Sequence, residues 1–264
     1  MSILADRAKM MAEVFGREGL ARRVALTPNL EARVQGAATD YIIAAVETYS
    51  MQRGWVMEMA ATLPNVTPNG AIRPKREILA RYRNFFRDVV AVARSVCDLD
   101  KFSYASIPQL RIVSGKSDAE KEKRPYATTK LHSEFWVGQP FDINCLLPLL
   151  GDTDKTRVEF YVPCDIDGDI FRLKYDDYDE PARFAFGYAE PLNLGFEPGN
   201  LYVHDNYILH KTVKSGGGDR LSVDWGMLYK GRGSGEHNPE TIYLPIEKWA
   251  KADLSGIEFP SAHK

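Results

Sequence analysis

The sequence predicts a mainly β protein with α, in which a sandwich or barrel of short strands sits behind a helical N-terminal layer. Three observations predict it. Apolar residues recur at helical spacing up to about residue 100. Beyond residue 104 the pattern changes to short β-type runs. Glycine- and proline-rich turn signals separate those runs.

Taken in order, the opening MSILADRAKMMAEVF is interrupted by Asp6, Arg7 and Lys9, so no signal peptide is expected. Asn29 to Met51 predicts a helix capped by Thr27 or Asn29. Pro64, Pro68, Gly70 and Pro74 make Leu63–Pro74 a loop. From Lys75 to Val96, residues Ile78, Tyr82, Phe85, Val89, Val92 and Val96 fall on one helix face. Arg76, Arg81, Arg83 and Arg87 fall on the remainder, a solvated surface. Eight strands are then predicted: Gln109–Val113, Ile143–Leu149, Arg157–Val162, Ile170–Tyr175, Arg183–Tyr188, Leu201–His204, Leu209–Val213 and Leu221–Tyr229. Pro198-Gly199-Asn200 and Gly216-Gly217-Gly218-Asp219 are turns. Gly115–Pro125 carries seven charges in eleven residues and reads as a solvated loop.

Composition narrows the function. The chain has 264 residues, 44% hydrophobic and 27% charged, with a net charge of -2. That balance gives no electrostatic case for nucleic acid or an anionic membrane. No apolar run approaches the roughly 18 residues of a membrane span. The three cysteines, Cys97, Cys145 and Cys164, are scattered and odd in number. They read as reduced thiols of a cytoplasmic protein, with Cys145 and Cys164 packing in the core.

The chemistry is concentrated in few residues, because there are only five histidines. In His132-Ser133-Glu134, residues i and i+2 of an extended segment point to the same side and can serve one ion. His210 follows in a second strand-like run. Ten residues on come Arg220 and Ser222, which share a face by the same alternation. The triglycine turn is expected to let the His210 and Arg220 strands run antiparallel as neighbours. Two histidines and one carboxylate on one side of an iron leave three positions open. A 2-oxo acid takes two of them and dioxygen the third. Its far carboxylate then needs a fixed cation, and the planar fork of arginine suits that role.

This order of residues resembles the iron(II)/2-oxoglutarate-dependent dioxygenases. Asn144-Cys145-Leu146-Leu147-Pro148-Leu149 with Phe160-Tyr161-Val162-Pro163 looks like the strand pair of the phytanoyl-CoA dioxygenase-like branch. Glu190-Pro191-Leu192 and Pro198-Gly199-Asn200-Leu201-Tyr202-Val203 look like that branch's approach to the distal histidine. The resemblance covers roughly residues 105–230. It implies a double-stranded β-helix (jelly roll, cupin-like) over 101–264, with 1–100 as a helical layer and 1–264 as a single structural unit. It also implies Fe(II) held by His132, Glu134 and His210, 2-oxoglutarate as co-substrate held by Arg220 and Ser222, and O2. Glutamate in place of the commoner aspartate resembles the clavaminate synthase and asparagine oxygenase type. A carboxylate at that position argues for hydroxylation or desaturation rather than halogenation.

The implied substrate is a small polar metabolite: an amino acid, a sugar or a secondary-metabolite precursor. Arg111, Tyr126, Lys130, Trp136 and Asn144 are the substrate-contact candidates, and Arg111 with Lys130 hints at an anionic or polar group. His204 reads as structural, because Asn206-Tyr207 breaks the strand before His210. His237 reads as exposed, and Asp165–Asp169 as a hairpin turn on Asp167-Gly168. No nucleic-acid or membrane partner is expected. The oligomeric state is open, with a homodimer through the N-terminal helices as one arrangement. Two other functions fit the same residues: a cupin-like metal isomerase or dioxygenase without 2-oxoglutarate, and a non-catalytic β-sandwich binding module.

Overall fold

The computed structural model describes residues 3–17, 19–49, 63, 67, 69–116, 123–137, 142–164, 175–230 and 242–261. Among the described residues the N-terminal part holds three longer helices: α1 (Ile3–Phe15), α2 (Pro28–Tyr49) and α3 (Leu79–Val96). The Thr27 hydroxyl accepts from the Leu30 amide at 3.4 Å and so caps α2. In α3, Tyr82, Phe85, Val89 and Val92 are buried, whereas Arg81, Arg83 and Arg87 are exposed. Among the described residues no helix is long and apolar enough to cross a membrane.

Strands β1 (Ala21–Ala25), β2 (Ala71–Ile72), β3 (Phe102–Ser106), β4 (Gln109–Val113), β5 (Ile143–Gly151), β6 (Thr156–Pro163), β7 (Ala189–Leu192), β8 (Asn200–Asp205), β9 (Leu209–Lys214), β10 (Arg220–Tyr229) and β11 (Tyr243–Pro245) form two antiparallel sheets. The major sheet runs β1-β8-β5-β10-β3-β11, with β4 also on β10 and β2 on β4. The minor sheet runs β7-β6-β9, and His132 bridges to β9 beyond its edge. Followed along the chain, β4, the His132 segment, β5, β6, β7, β8, β9 and β10 fall in the major, minor, major, minor, minor, major, minor and major sheets. That winding is a double-stranded β-helix, the jelly-roll arrangement.

The major sheet buries apolar residues on its outer face. Leu110 and Ile112, Cys145, Leu147 and Leu149, Leu201 and Val203, and Leu221, Val223 and Trp225 join one core with α2 and α3. Their alternates, such as Arg111, Asn144, His204, Arg220 and Asp224, line the space between the sheets. Cys145 is buried as expected, but Cys164 lies just past β6 and is half-buried.

Three expectations need correction. Residues 1–100 are not helical alone, since β1 and β2 belong to the major sheet. The arginines Arg22 and Arg23 of β1 obscure its alternation and suit an edge strand. Arg183–Tyr188 is not a strand. It falls in α4 (Asp179–Ala185) and a 3-10 turn at Phe186–Tyr188. The Asp177 carboxylate accepts from the amides of Asp179 and Glu180 and starts that helix. Finally, β9 and β10 are not neighbours: Gly216, Gly217 and Gly218, at φ 87°, 99° and 84°, carry the chain from one sheet to the other. The strand expected at Ile170–Tyr175, apart from Tyr175, lies outside the described residues, as do Asp165–Asp169 and His237. A final short helix, α5, spans Ile246–Trp249.

Helix α1 is tied down by a buried charge cluster. Arg7 donates from Nε to Asp205 at 2.7 Å, and from Nη1 and Nη2 to the Asp142 carboxylate and carbonyl, both at 2.8 Å. Its guanidinium lies 4.6 Å from the Tyr207 ring centroid. Burial opposes the charge on Arg7, but Asp205 and Asp142 outweigh burial and raise its pKa. Removing one partner of such a cluster leaves uncompensated buried charge. Arg7→Ala is therefore expected to lower unfolding free energy by about 3–5 kcal/mol in urea titration. A loss under 1 kcal/mol, on the order of an exposed pair, would show that α1 docks by other means. We also expect a fragment beginning at residue 101 to aggregate, because it bares the apolar face that α2 and α3 cover.

Candidate metal centre

The site begins with a backbone pairing. His132 and His210 exchange both hydrogen bonds, at 2.9 Å from the His132 amide and 2.8 Å from the His210 amide. Directly opposed antiparallel residues send their side chains to the same face. The two rings accordingly meet at 4.2 Å between centroids. The strand ends there. Glu134 is not extended as the i, i+2 argument assumed but opens a 3-10 turn, Glu134–Val137. Ser133 sets that turn: its hydroxyl donates to the Asn206 carbonyl at 2.6 Å and accepts from the Phe135 amide at 3.3 Å.

The turn brings Glu134 Oε1 to 3.5 Å from His210 Nε2 and 3.7 Å from His132 Nε2. These separations exceed a hydrogen bond. Donors each about 2.0–2.2 Å from one ion stand about 3.0–3.5 Å apart, so a small closure completes coordination. One ligand atom from each of the three residues lies within 4.8 Å of the other two. His132 Nδ1 is 2.7 Å from the Lys130 carbonyl. A proton on Nδ1 makes that hydrogen bond and leaves the Nε2 lone pair for a metal. Burial works against charge on Glu134, yet in the metal-free site an Nε2 proton on His132 or His210 holds its carboxyl well below the ordinary range. Burial and then His132 lower the His210 pKa, favouring the neutral ligand form.

A cavity of about 810 Å³ opens over this cluster. Arg220 reaches it from the opposite sheet, not from a strand beside His210. Arg220 is 2% exposed and Ser222 is fully buried. Arg220 Nη1 donates to the Thr156 carbonyl at 3.3 Å, and its guanidinium lies 5.1 Å from the Phe196 ring centroid. Arg220 Nε and Ser222 Oγ are buried without a hydrogen-bond partner among the described residues. Burial, then Arg111, lowers the Arg220 pKa to about 10.

The other sequence candidates divide. Arg111, Tyr126 and Asn144 line the cavity. Lys130 instead pairs with Asp179 at 2.6 Å, and Trp136 is fully buried in a core cluster, so neither reaches the cavity. His204 lines the cavity with its ring 5.0 Å from that of His210, and burial, then His210, lowers its pKa to about 3. It is outside the three-residue cluster. Sequence reasoning missed Asp224 and Tyr178. Asp224 follows Arg220 by four residues on the same strand face, a signal that alternation offered. Tyr178 stacks on His132 at 4.5 Å and comes from a segment with no periodic pattern.

No protein-family model matches the sequence, and no curated protein does so significantly. Solved structures align over most of the chain. The epimerase SnoN, in complex with Fe3+, alpha ketoglutarate and nogalamycin RO, is 14% identical, covers 97% of this chain and 95% of its own, and has a TM-score of 0.48. The carbocyclase SnoK of nogalamycin biosynthesis is 9% identical over 93% and 96%, at 0.47. A Pseudomonas putida prolyl-4-hydroxylase is 13% identical over 87% and 100%, at 0.40.

Ser133 provides a test that leaves the ligand set intact. Ser133→Ala removes the clamp on the Glu134 turn and is expected to weaken zinc or nickel binding about 10–100-fold, as loss of a ligand-orienting partner does. His210→Ala should abolish stoichiometric binding. Calorimetric titration checks both. Unchanged affinity in Ser133→Ala would show that the turn orients Glu134 without it.

Proposed function

We propose that this protein is a non-haem Fe(II)/2-oxoglutarate-dependent oxygenase acting on a small polar metabolite by hydroxylation or desaturation. One observation carries the reading. A His-Glu-His cluster and a buried arginine with an unsatisfied donor face one cavity from opposite sheets, with an unsatisfied serine hydroxyl beside the arginine. Buried polar groups without partners are uncommon in folded proteins. A carboxylate between Arg220 Nε and Ser222 Oγ would satisfy both.

Iron(II) with 2-oxoglutarate supplies dioxygen-driven oxidation of a C–H bond, with succinate and carbon dioxide as co-products. The chain's own residues do the rest. His132, Glu134 and His210 would hold the metal. Arg220 and Ser222 would hold the distal carboxylate of the co-substrate. The Phe196 ring against Arg220 helps keep water from that contact. A metal enzyme that does not use 2-oxoglutarate would leave the unsatisfied Arg220–Ser222 pair without a role.

Arg220→Ala is expected to raise the Kd for 2-oxoglutarate by roughly one and a half to nearly four powers of ten, from about 2–5 kcal/mol for a buried charged contact. Arg220→Lys should recover only part, because a point charge lacks the bidentate fork. Metal affinity should not change. Anaerobic titration of the ferrous protein reads the visible charge-transfer band of the bound 2-oxo acid. No band in the wild type, or equal affinity in Arg220→Ala, contradicts the co-substrate assignment. A screen of polar metabolites for stimulated succinate release then identifies the substrate.

A further inference from the structure

We propose that the substrate presents neighbouring hydroxyls of an uncharged polyol or glycosyl unit, and that Asn144 and His204 position it inside the cavity. The inference rests on the oxygenase reading of the same site and names its substrate class.

The first support is a row of residues on the inner face of the major sheet. His204 of β8 pairs with Asn144 of β5, and Asn144 pairs with Gly226 of β10. Directly opposed antiparallel residues share a face. All three line the cavity. Neighbouring strands stand about 4.8 Å apart, so the row is roughly 10 Å wide. Gly226 has no side chain, which leaves room beside Asn144. The His204 ring lies 5.0 Å from that of His210, so the row begins next to the metal cluster. Ser222 and Arg220 stand four and six residues before Gly226 on the same strand. That is about 13 Å or more along β10, so the row is separate from the place proposed for the distal carboxylate of the co-substrate.

The second support is hydrogen-bonding polarity. His204 Nδ1 lies 3.3 Å from the Asp205 carbonyl, which can only accept. A proton on Nδ1 makes that contact and leaves Nε2 a bare lone pair. Among the described residues no donor meets it. Asn144 Nδ2 donates to Asn206 Oδ1 at 3.0 Å, which leaves Asn144 Oδ1 as an acceptor that no described donor meets. Asn206 is itself held: its carbonyl accepts from the Ser133 hydroxyl, and its amide donates to the Asp142 carbonyl at 3.1 Å. Asn144 is therefore oriented before a ligand arrives, which lowers the ordering cost of binding. Asn69 Oδ1, on another cavity-lining residue, is a third acceptor, buried without a partner among the described residues. Acceptors of this kind need donors, and an oxyanion has none. Gln109 supplies the opposite sense, because its Oε1 accepts from Arg111 and its amide nitrogen is left to donate. A hydroxyl both donates and accepts, whereas an ammonium only donates. Charge gives no call for an ionic group. Asp224 holds Arg111 at 2.7 Å to Nε and 3.1 Å to Nη2, and Arg220 and Glu134 are matched to the co-substrate and the metal. Arg73 and Arg124, also in the lining, are not without partners.

The test uses the nickel-loaded protein saturated with N-oxalylglycine, an unreactive analogue of 2-oxoglutarate. The probes are myo-inositol and the methyl glycosides of glucose, galactose, mannose and xylose. Glucuronate and glucosamine serve as charged counterparts, tetrahydropyran as a ring without hydroxyls, and binding is followed by calorimetry. At least one uncharged polyol should bind saturably, about tenfold or more tighter than the charged and hydroxyl-free probes. Asn144→Leu and His204→Phe, which keep side-chain volume and ring packing, should each weaken that binding about tenfold while keeping the affinity for N-oxalylglycine. His204→Gln, whose amide can place an acceptor near the position of Nε2, should recover part. Among monodeoxy forms of the bound polyol, one should lose about tenfold with the wild type and nothing further with Asn144→Leu. No saturable binding of any uncharged polyol, tighter binding of glucuronate or glucosamine, or variants that bind the polyol as the wild type does overturns the proposal. Failure of the wild type to bind N-oxalylglycine overturns the oxygenase reading instead, so the two failures are distinct.

Discussion

The reciprocal backbone pairing of His132 with His210 is the contact on which the site depends. It joins two segments 78 positions apart in sequence and fixes both imidazoles to one face before any metal is present. Each partner has a further constraint. Lys130 and Tyr178 orient the His132 ring, and β6 pairs with β9 to hold His210 opposite Phe160. Glu134 then needs only the turn set by Ser133 to complete the cluster. The His-Glu-His cluster is preorganised by main-chain hydrogen bonds, which single side-chain changes elsewhere do not erase.

A polar cavity between two sheets requires that apolar burial be found elsewhere. The helices provide it. Because α2 and α3 cover the outer face of the major sheet, its leucines, valines and Trp225 can point outward into a core, and its charged residues can point inward. This reverses the usual sandwich, in which the facing surfaces are the apolar ones. The N-terminal layer in that sense supports the cavity, although none of its described helices lines it. Arg7 extends the coupling, since its partner Asp142 precedes β5, its partner Asp205 ends β8, and the Asn206 carbonyl, next to Asp205, accepts from the Ser133 hydroxyl.

Much of this was legible in the sequence, for identifiable reasons. Strands such as β4, β5, β8 and β10 announce themselves by alternation, and the stripe of α3 by its 3.6-residue period. Residue type and spacing single out His132, Glu134, His210, Arg220 and Ser222, and they face one cavity or lie buried beside it. What was not legible depends on long-range pairing. Alternation within β9 and β10 cannot say that the triglycine turn crosses between sheets, so it puts Arg220 beside His210 instead of across from it. Lys130 is near the site in sequence, but its ion pair with Asp179 turns it away. The Arg183–Tyr188 run has strand-like residues, yet the capping carboxylate of Asp177 decides for helix.

On the proposed function, one cavity holds a metal on His132, Glu134 and His210 and, across from it, a carboxylate on Arg220 and Ser222. A crystal structure of the protein with manganese or nickel and N-oxalylglycine tests it most directly. The account predicts the ion bonded to His132 Nε2, His210 Nε2 and a Glu134 oxygen at about 2.0–2.2 Å. It also predicts the distal carboxylate of the analogue hydrogen-bonded to Arg220 and Ser222. An ion bound elsewhere, Glu134 turned out of the coordination sphere, or a distal carboxylate that avoids Arg220 would contradict it.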